Sequence, residues 1–397
     1  MIFLVEEKLP KISRRASSIA LSGIRKIVEY AKGLHDVIFL NVGEPDFSTP
    51  EHIREAARKA MEEGFTHYTP IQGIPELREA IAEKLRSESG IDVDPNSEVL
   101  VTAGAQSAFF AVCQALIDEG DEVIVQDPFY PAYEVALRLV GARIVRVPLE
   151  EHRNFVVNPE DIEEKITKKT KVVVLISPNN PTGSVLDEGT LKRISEVARD
   201  NDLIVISDEI YEKITYDGVV NRSIISFPGM EGRTVIINSF SKTYAMTGWR
   251  VGFVVAPEEI MKSIVKVHHT MNICACSVSQ KAALAALTGP QDCVVEMVRE
   301  YDKRRREIVK LLNEIPGFAC QMPKGAFYVF PNIKFFNKPS MEFAKFLITD
   351  VGVVTVPGSA FGENGEGHLR LSYATSLENI REALIRMKNS VEKLTRS

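Results

Sequence analysis

The chain predicts an α/β fold, with a large domain on a mainly parallel sheet followed by a smaller α+β domain. Three observations carry this. Short runs rich in Val and Ile alternate with longer amphipathic stretches. Polar clusters recur directly after those runs. The texture then changes after about residue 290. Strand and helix in alternation build a sheet buried on both faces, and strands of that kind read as near-continuous apolar runs.

The strand candidates are Val99–Val101, Val123–Val125, Ile144–Val147, Val172–Ile176, Leu203–Ile206, Val235–Ile237 and Val251–Val255. Helical patterns fall between them at Ala105–Ile117, Tyr133–Val140 and Leu191–Arg199. The stretch Ile224–Gly232 is too short for a full crossover helix, so the alternation is not perfectly regular. Beyond residue 290 a long helical pattern carries Lys303-Arg304-Arg305-Arg306. It stands beside Glu300 and Glu307 without interleaved aromatics, which predicts a solvated helix face rather than a nucleic-acid patch. Strand candidates Ala326–Phe330, Val353–Val356 and Leu369–Tyr373 follow, with a closing helix from about Leu377. The expected division is an N-terminal arm over 1–13, a small domain from 14–45 plus 290–397, and a large domain over 46–289.

Composition narrows the function. The 397 residues carry a formal net charge of −6, so the chain offers no global attraction to nucleic acid or an acidic membrane. No apolar run approaches the roughly 20 residues that span a bilayer. The apolar stretch Ile2–Val5 is too short for a secretory signal, so the expected location is cytoplasmic. Five cysteines do not suggest a disulfide framework. Cys274 and Cys276 near His268 and His269 lack a second ligand pair at zinc spacing; they read as buried small side chains, and no metal is expected.

In open α/β sheets, ligands sit beyond the carboxyl ends of the strands. The residues found there are Gly104-Ala105-Gln106, Asp127-Pro128-Phe129-Tyr130, Asn179-Asn180-Pro181-Thr182-Gly183, Asp208-Glu209-Ile210-Tyr211 and Ser239-Phe240-Ser241-Lys242. Singly, each has a bland reading. A Gly before a helix is a tight turn as readily as an anion site, and Asp208 serves as well for a helix N-cap. The run from Ser239 to Gly252 changes that weighting, because it sets Lys242 among hydroxyls and eight residues before Arg250. An amine there forms a Schiff base, and an arginine with two serines takes a phosphate. Pyridoxal 5′-phosphate (PLP) needs both, together with a carboxylate on its pyridine nitrogen, for which Asp208 is the candidate.

At this point the sequence resembles the class I aminotransferases of PLP fold type I, of the aspartate and aromatic kind. The string Ser239-Phe240-Ser241-Lys242 with Thr247-Gly248-Trp249-Arg250 is similar to their cofactor attachment site. The likeness runs from Asn41-Val42-Gly43-Glu44-Pro45-Asp46-Phe47 to His368-Leu369-Arg370-Leu371-Ser372-Tyr373. It implies that Lys242 attaches PLP and shuttles the Cα proton, and that Asp208 pairs with the pyridine nitrogen. Tyr211 and Asn180 would bond the ring hydroxyl, and Tyr130 would stack on the ring. Gly104, Ala105, Gln106, Ser239, Ser241 and Arg250 would hold the phosphate. Arg370 would grip the substrate α-carboxylate, assisted by Asn180 and the Gly43 backbone; a planar guanidinium fork suits a carboxylate. Tyr68 matches a tyrosine that reaches the phosphate from the partner subunit, implying a homodimer with shared active sites.

The implied reaction moves an amino group from an amino acid to a 2-oxo acid in two half-reactions. A PLP-dependent lyase or synthase of the same fold is the nearest rival. Aspartate specialists in the family typically set a cation against the distal carboxylate. Here Val267–Gln280 contains no Lys or Arg, only His268 and His269, and the position at the start of the phosphate-binding helix is Gln106. Aromatic and other neutral donors are therefore expected, resting near Tyr130 and Ile19, with 2-oxoglutarate as acceptor. Gln106, Asn272 or the N-terminal segment would meet the acceptor's distal carboxylate. Aspartate is the alternative donor.

Overall fold

The computed structural model describes residues 12–17, 19 and 23–396. The expected N-terminal arm therefore lies almost wholly outside the described residues. Strand β1 (Ile38–Phe39) belongs to the smaller part of the chain. The large sheet comprises β2 (Val99–Thr102), β3 (Glu122–Asp127), β4 (Arg143–Pro148), β5 (Thr170–Ile176), β6 (Ile204–Asp208), β7 (Thr234–Ser239) and β8 (Gly252–Val255). Their spatial order is β2-β8-β7-β6-β5-β3-β4, parallel except for β8, which runs antiparallel to both neighbours.

Period-two alternation explains the double coverage. Val123, Val125, Val172, Val174 and Ile176 face helices Ala105–Leu116, Pro131–Leu139 and Glu258–Asn272 on one side. Their neighbours Ile124, Val173 and Leu175 join Leu191, Ile194 and Val197 of helix Glu188–Asp200 on the other. Local signals set the helix starts. Pro75 and Pro131 occupy first-turn positions where no N–H is required, and the Asp187 side chain accepts from Thr190 N at 2.8 Å. The irregular stretch near 224 forms a single short turn, Ile224–Ser226, before β7.

The smaller part pairs β1 with β10 (Val353–Val354) in parallel. It also aligns β11 (Val356–Pro357), β12 (Leu369–Ser372) and β9 (Tyr328–Val329) antiparallel. Helices Asp292–Asn313, Ser340–Thr349 and Leu377–Arg396 pack on these strands, giving the expected α+β texture. Tyr211, Ile214 and Tyr216 of the large part enter the same core, so the segment after β6 is gripped from both sides.

Two expectations require correction. The basic run is not a uniformly solvated face. Arg304 and Arg305 are buried, whereas Lys303 and Arg306 are exposed. A 3.6-residue period turns adjacent side chains by about 100°, so one helix run serves core and solvent together. Arg304 donates to both Asp46 oxygens at 2.8 and 2.9 Å, and Arg305 to Asp217 at 2.9 and 3.0 Å. Each guanidinium also lies over an aromatic ring, Phe47 and Tyr216 respectively. Cys274 is only half-buried and Cys276 is exposed, because Ile273 breaks the helix with φ +62° and the chain loops out before the helix that starts at Ser277.

Candidate active site

The carboxyl ends of β2, β3, β5, β6 and β7 share one edge of the sheet, and antiparallel β8 brings the residues before Gly252 to the same edge. There they enclose a cavity of about 330 Å³. Its lining includes Gly43, Ala105, Gln106, Tyr130, Asn180, Asp208, Tyr211, Ser239, Ser241, Lys242, Arg250 and Arg370. Segments some 330 residues apart in sequence thus converge on one space. Gly104 is not among the lining residues; it directly precedes Ala105 and abuts Arg250, which are.

At one end, helix Ala105–Leu116 starts after Gly104, whose φ of +85° favours glycine and which supplies no side-chain cap. A Cβ on Gly104 would come within 2.5 Å of Arg250 Nη2. A side chain there would be strained by the positive φ and would have to displace the guanidinium, so glycine suits the close approach of helix N-terminus and arginine. The Ser239 hydroxyl donates to the Ser241 hydroxyl at 2.8 Å beside it. Free N–H groups, a cation and hydroxyls together make an anion cradle.

At the floor, Asp208 is buried. Its Oδ2 accepts from Tyr133 Oη at 2.6 Å and its Oδ1 from Ile210 N at 3.1 Å. Burial pushes its pKa up to about 6, against the lowering effect of those bonds. No cation forms a salt bridge with it among the described residues, so the cavity holds a carboxylate suited to a cationic ring N–H. Lys242 Nζ donates to Gly43 O at 2.6 Å. Burial lowers its pKa to about 8; Glu44 opposes this, while Arg370 and Arg250 reinforce it.

At the far side, Arg370 on β12 donates from Nη1 to Asn180 Oδ1 at 3.1 Å and from Nη2 to Asn41 O at 2.7 Å. Its Nε is buried with no hydrogen-bond partner among the described residues, a donor able to serve an anionic ligand. Tyr211 is also buried, and its hydroxyl pairs with Tyr328 Oη at 2.8 Å.

Not every expected residue comes to the cavity. Tyr68 is 80 % exposed and does not line the cavity. Ile19 and Asn272 do not line it either. Asn272 is bonded to Ser107 Oγ at 2.8 Å. Sequence reasoning missed Tyr133, Tyr328, Asn41 as a carbonyl acceptor, and Glu44. Tyr133 lies in the first turn of helix Pro131–Leu139, whose N-cap is Tyr130, and the two rings meet edge to face at 5.4 Å; a second tyrosine just past a helix-starting Pro was a usable signal. Tyr328 sat unmarked within an apolar strand candidate.

A lysine and a buried carboxylate stand between an anion cradle and an arginine, an arrangement able to hold a carboxylate-bearing amine beside an anionic group. Residues 35–387 match the family described as aminotransferase class I and II, and the chain belongs to that family. It is an aminotransferase. It is 46% identical over 379 residues to the aspartate aminotransferase of Pyrococcus abyssi, covering 95% of this chain and 97% of that one. It is 43% identical, with coverage of 95% and 97%, to aromatic-amino-acid aminotransferase 2 of Thermococcus litoralis. The solved aromatic aminotransferase of Pyrococcus horikoshii superposes with a TM-score of 0.89 at 43% identity, covering 93% of this chain and 99% of that one.

Proposed function

We propose that the cavity binds PLP and that the chain transfers amino groups from aromatic and other neutral amino acids to 2-oxoglutarate. The fit of the cofactor rests on the glycine-dependent cradle at Gly104 and on the uncompensated Asp208 carboxylate. In this reading Ala105, Gln106, Ser239, Ser241 and Arg250 hold the phosphate, Tyr130 covers the ring, and Tyr211 and Asn180 face the ring hydroxyl. When bound, PLP supplies an electron sink that acidifies the Cα–H bond of the substrate.

The protein's own groups supply the rest. Arg370 binds the α-carboxylate, with Asn180 and Asn41 fixing the plane of its guanidinium. That docking orients Cα, and positioning of this kind removes several kcal/mol of barrier. Lys242, with its lowered pKa, takes the proton from Cα and returns it as general base and then acid. Asp208 holds the proton at the pyridine nitrogen, its own position set by Tyr133. Tyr68, exposed on one protomer, fits a role at the partner's phosphate cradle in a homodimer. We keep 46–289 as the large domain and 14–45 plus 290–397 as the small one, a division in which Asn41, Tyr328 and Arg370 come from the small domain.

The observation that carries the donor preference is the inventory of cations. The lining holds Lys242, Arg250 and Arg370, all assigned to the cofactor or the α-carboxylate, and no further cation among the described residues. A distal carboxylate buried without a partner is costly. The names of relatives do not decide the matter, since aspartate and aromatic enzymes stand at nearly equal identity. The test is kcat/KM for phenylalanine and tyrosine against aspartate, with 2-oxoglutarate as acceptor. An aspartate advantage of about tenfold or more overturns the missing-cation argument and favours the aspartate aminotransferase reading.

A further inference from the structure

Tyr328 stands where three parts of the site meet. Its hydroxyl is 2.8 Å from Tyr211 Oη. The same hydroxyl lies 2.8 Å from where a Cβ on Gly43 would stand. Its ring lies under the Arg370 guanidinium, 4.4 Å from ring centroid to Cζ, and Phe361 supports the same guanidinium at 5.0 Å. The residue is buried, on β9 of the smaller part, whereas Tyr211 belongs to the segment after β6. One side chain therefore touches the arginine that meets the substrate and the tyrosine that faces the ring hydroxyl.

We propose that Tyr328 is a positioning residue with two separable parts: its ring holds Arg370 for the α-carboxylate, and its hydroxyl donates to Tyr211 so that the Tyr211 proton points into the cavity. This rests on the PLP reading above. A phenol carries one proton. If Tyr211 is to donate toward the cavity, its oxygen is left to accept, and Tyr328 is the donor within reach. Hydrogen bonds in such a chain strengthen one another. The ring acts separately, because a guanidinium stacked on an aromatic face keeps its in-plane N–H groups free for a carboxylate.

The two parts separate by substitution. Tyr328→Phe keeps the ring and removes the hydroxyl. The visible absorbance of the resting holoenzyme should then titrate at a pH higher by roughly 0.4–1 unit, the size of one lost hydrogen bond. The KM for amino donors should change by less than about threefold, since the ring contact persists. Tyr328→Leu removes both, and KM should also rise roughly 3–30-fold for every donor, without regard to side chain. A Phe variant with an unmoved absorbance titration, or with a KM as impaired as the Leu variant, overturns the assignment. The cofactor content and far-ultraviolet dichroism of each variant separate a folding defect from a positioning one, and the Phe variant alone suffices if Leu fails to fold. A wild-type protein that is colourless and inactive would instead overturn the PLP reading itself.

Discussion

Asp208 allows a stability prediction that tests the site without any turnover. In the cofactor-free protein its carboxyl is buried, bonded only to neutral donors, and pushed from 3.8 to about 6. Each pKa unit corresponds to about 1.4 kcal/mol, so the folded state bears a cost of about 3 kcal/mol for ionising this group. The cost is absent below the unfolded value, grows as pH rises from about 4 to about 6, and is complete above that. Asp208→Asn removes the charge and keeps the shape. Urea unfolding of the cofactor-free protein, at fixed concentration, should show the variant more stable than wild type by about 1–3 kcal/mol at pH 7.5. Near pH 4 the two should coincide. Adding PLP should reverse the order, because only the carboxylate pairs with a protonated ring nitrogen. A variant equal to or weaker than wild type at pH 7.5 without cofactor would refute the claim that an unpaired carboxylate is stored at the floor of the cavity.

Three further outcomes are expected. In the proposed reading, attachment of PLP to the cofactor-free protein requires the neutral Lys242 amine, whose pKa is lowered by burial to about 8. The attachment rate should therefore climb about tenfold per pH unit below 8 and level off above it, and a rate still climbing to pH 10 in stopped-flow absorbance would count against the lowered value. Arg370→Lys keeps a charge but loses the fork shared by Asn180 and Asn41, so KM for all amino donors should rise by about 10–150-fold; a change confined to one donor would contradict its common role. Tyr68→Phe should weaken PLP retention by about 2–10-fold, the value of one hydrogen bond. Sedimentation that finds a fully active monomer would end the shared-site reading.

The sequence by itself determined the sheet and its functional edge. Apolar runs such as Val172–Ile176 alternate sides with period two, and each is followed within a few residues by the polar group it delivers, because a strand end and its next residue are covalently tied. Lys242, Asp208 and Asn180 were legible in this way, whereas Arg370, inside a strand, was marked only by the family resemblance; all four line one cavity. Only the tertiary structure decided what meets those groups. The Tyr133–Asp208 bond spans 75 residues, Tyr211–Tyr328 spans 117, and Lys242–Gly43 spans 199. No local pattern encodes such pairs, since a tyrosine in an apolar run packs equally well as a plain ring until its hydroxyl finds a partner. The basic run illustrates the same limit. Charge and helical period predicted exposure for Arg304 and Arg305, yet Asp46 and Asp217, distant in sequence, pair with both guanidiniums inside the protein. Whether a charge is buried depends on a partner that only folding brings near.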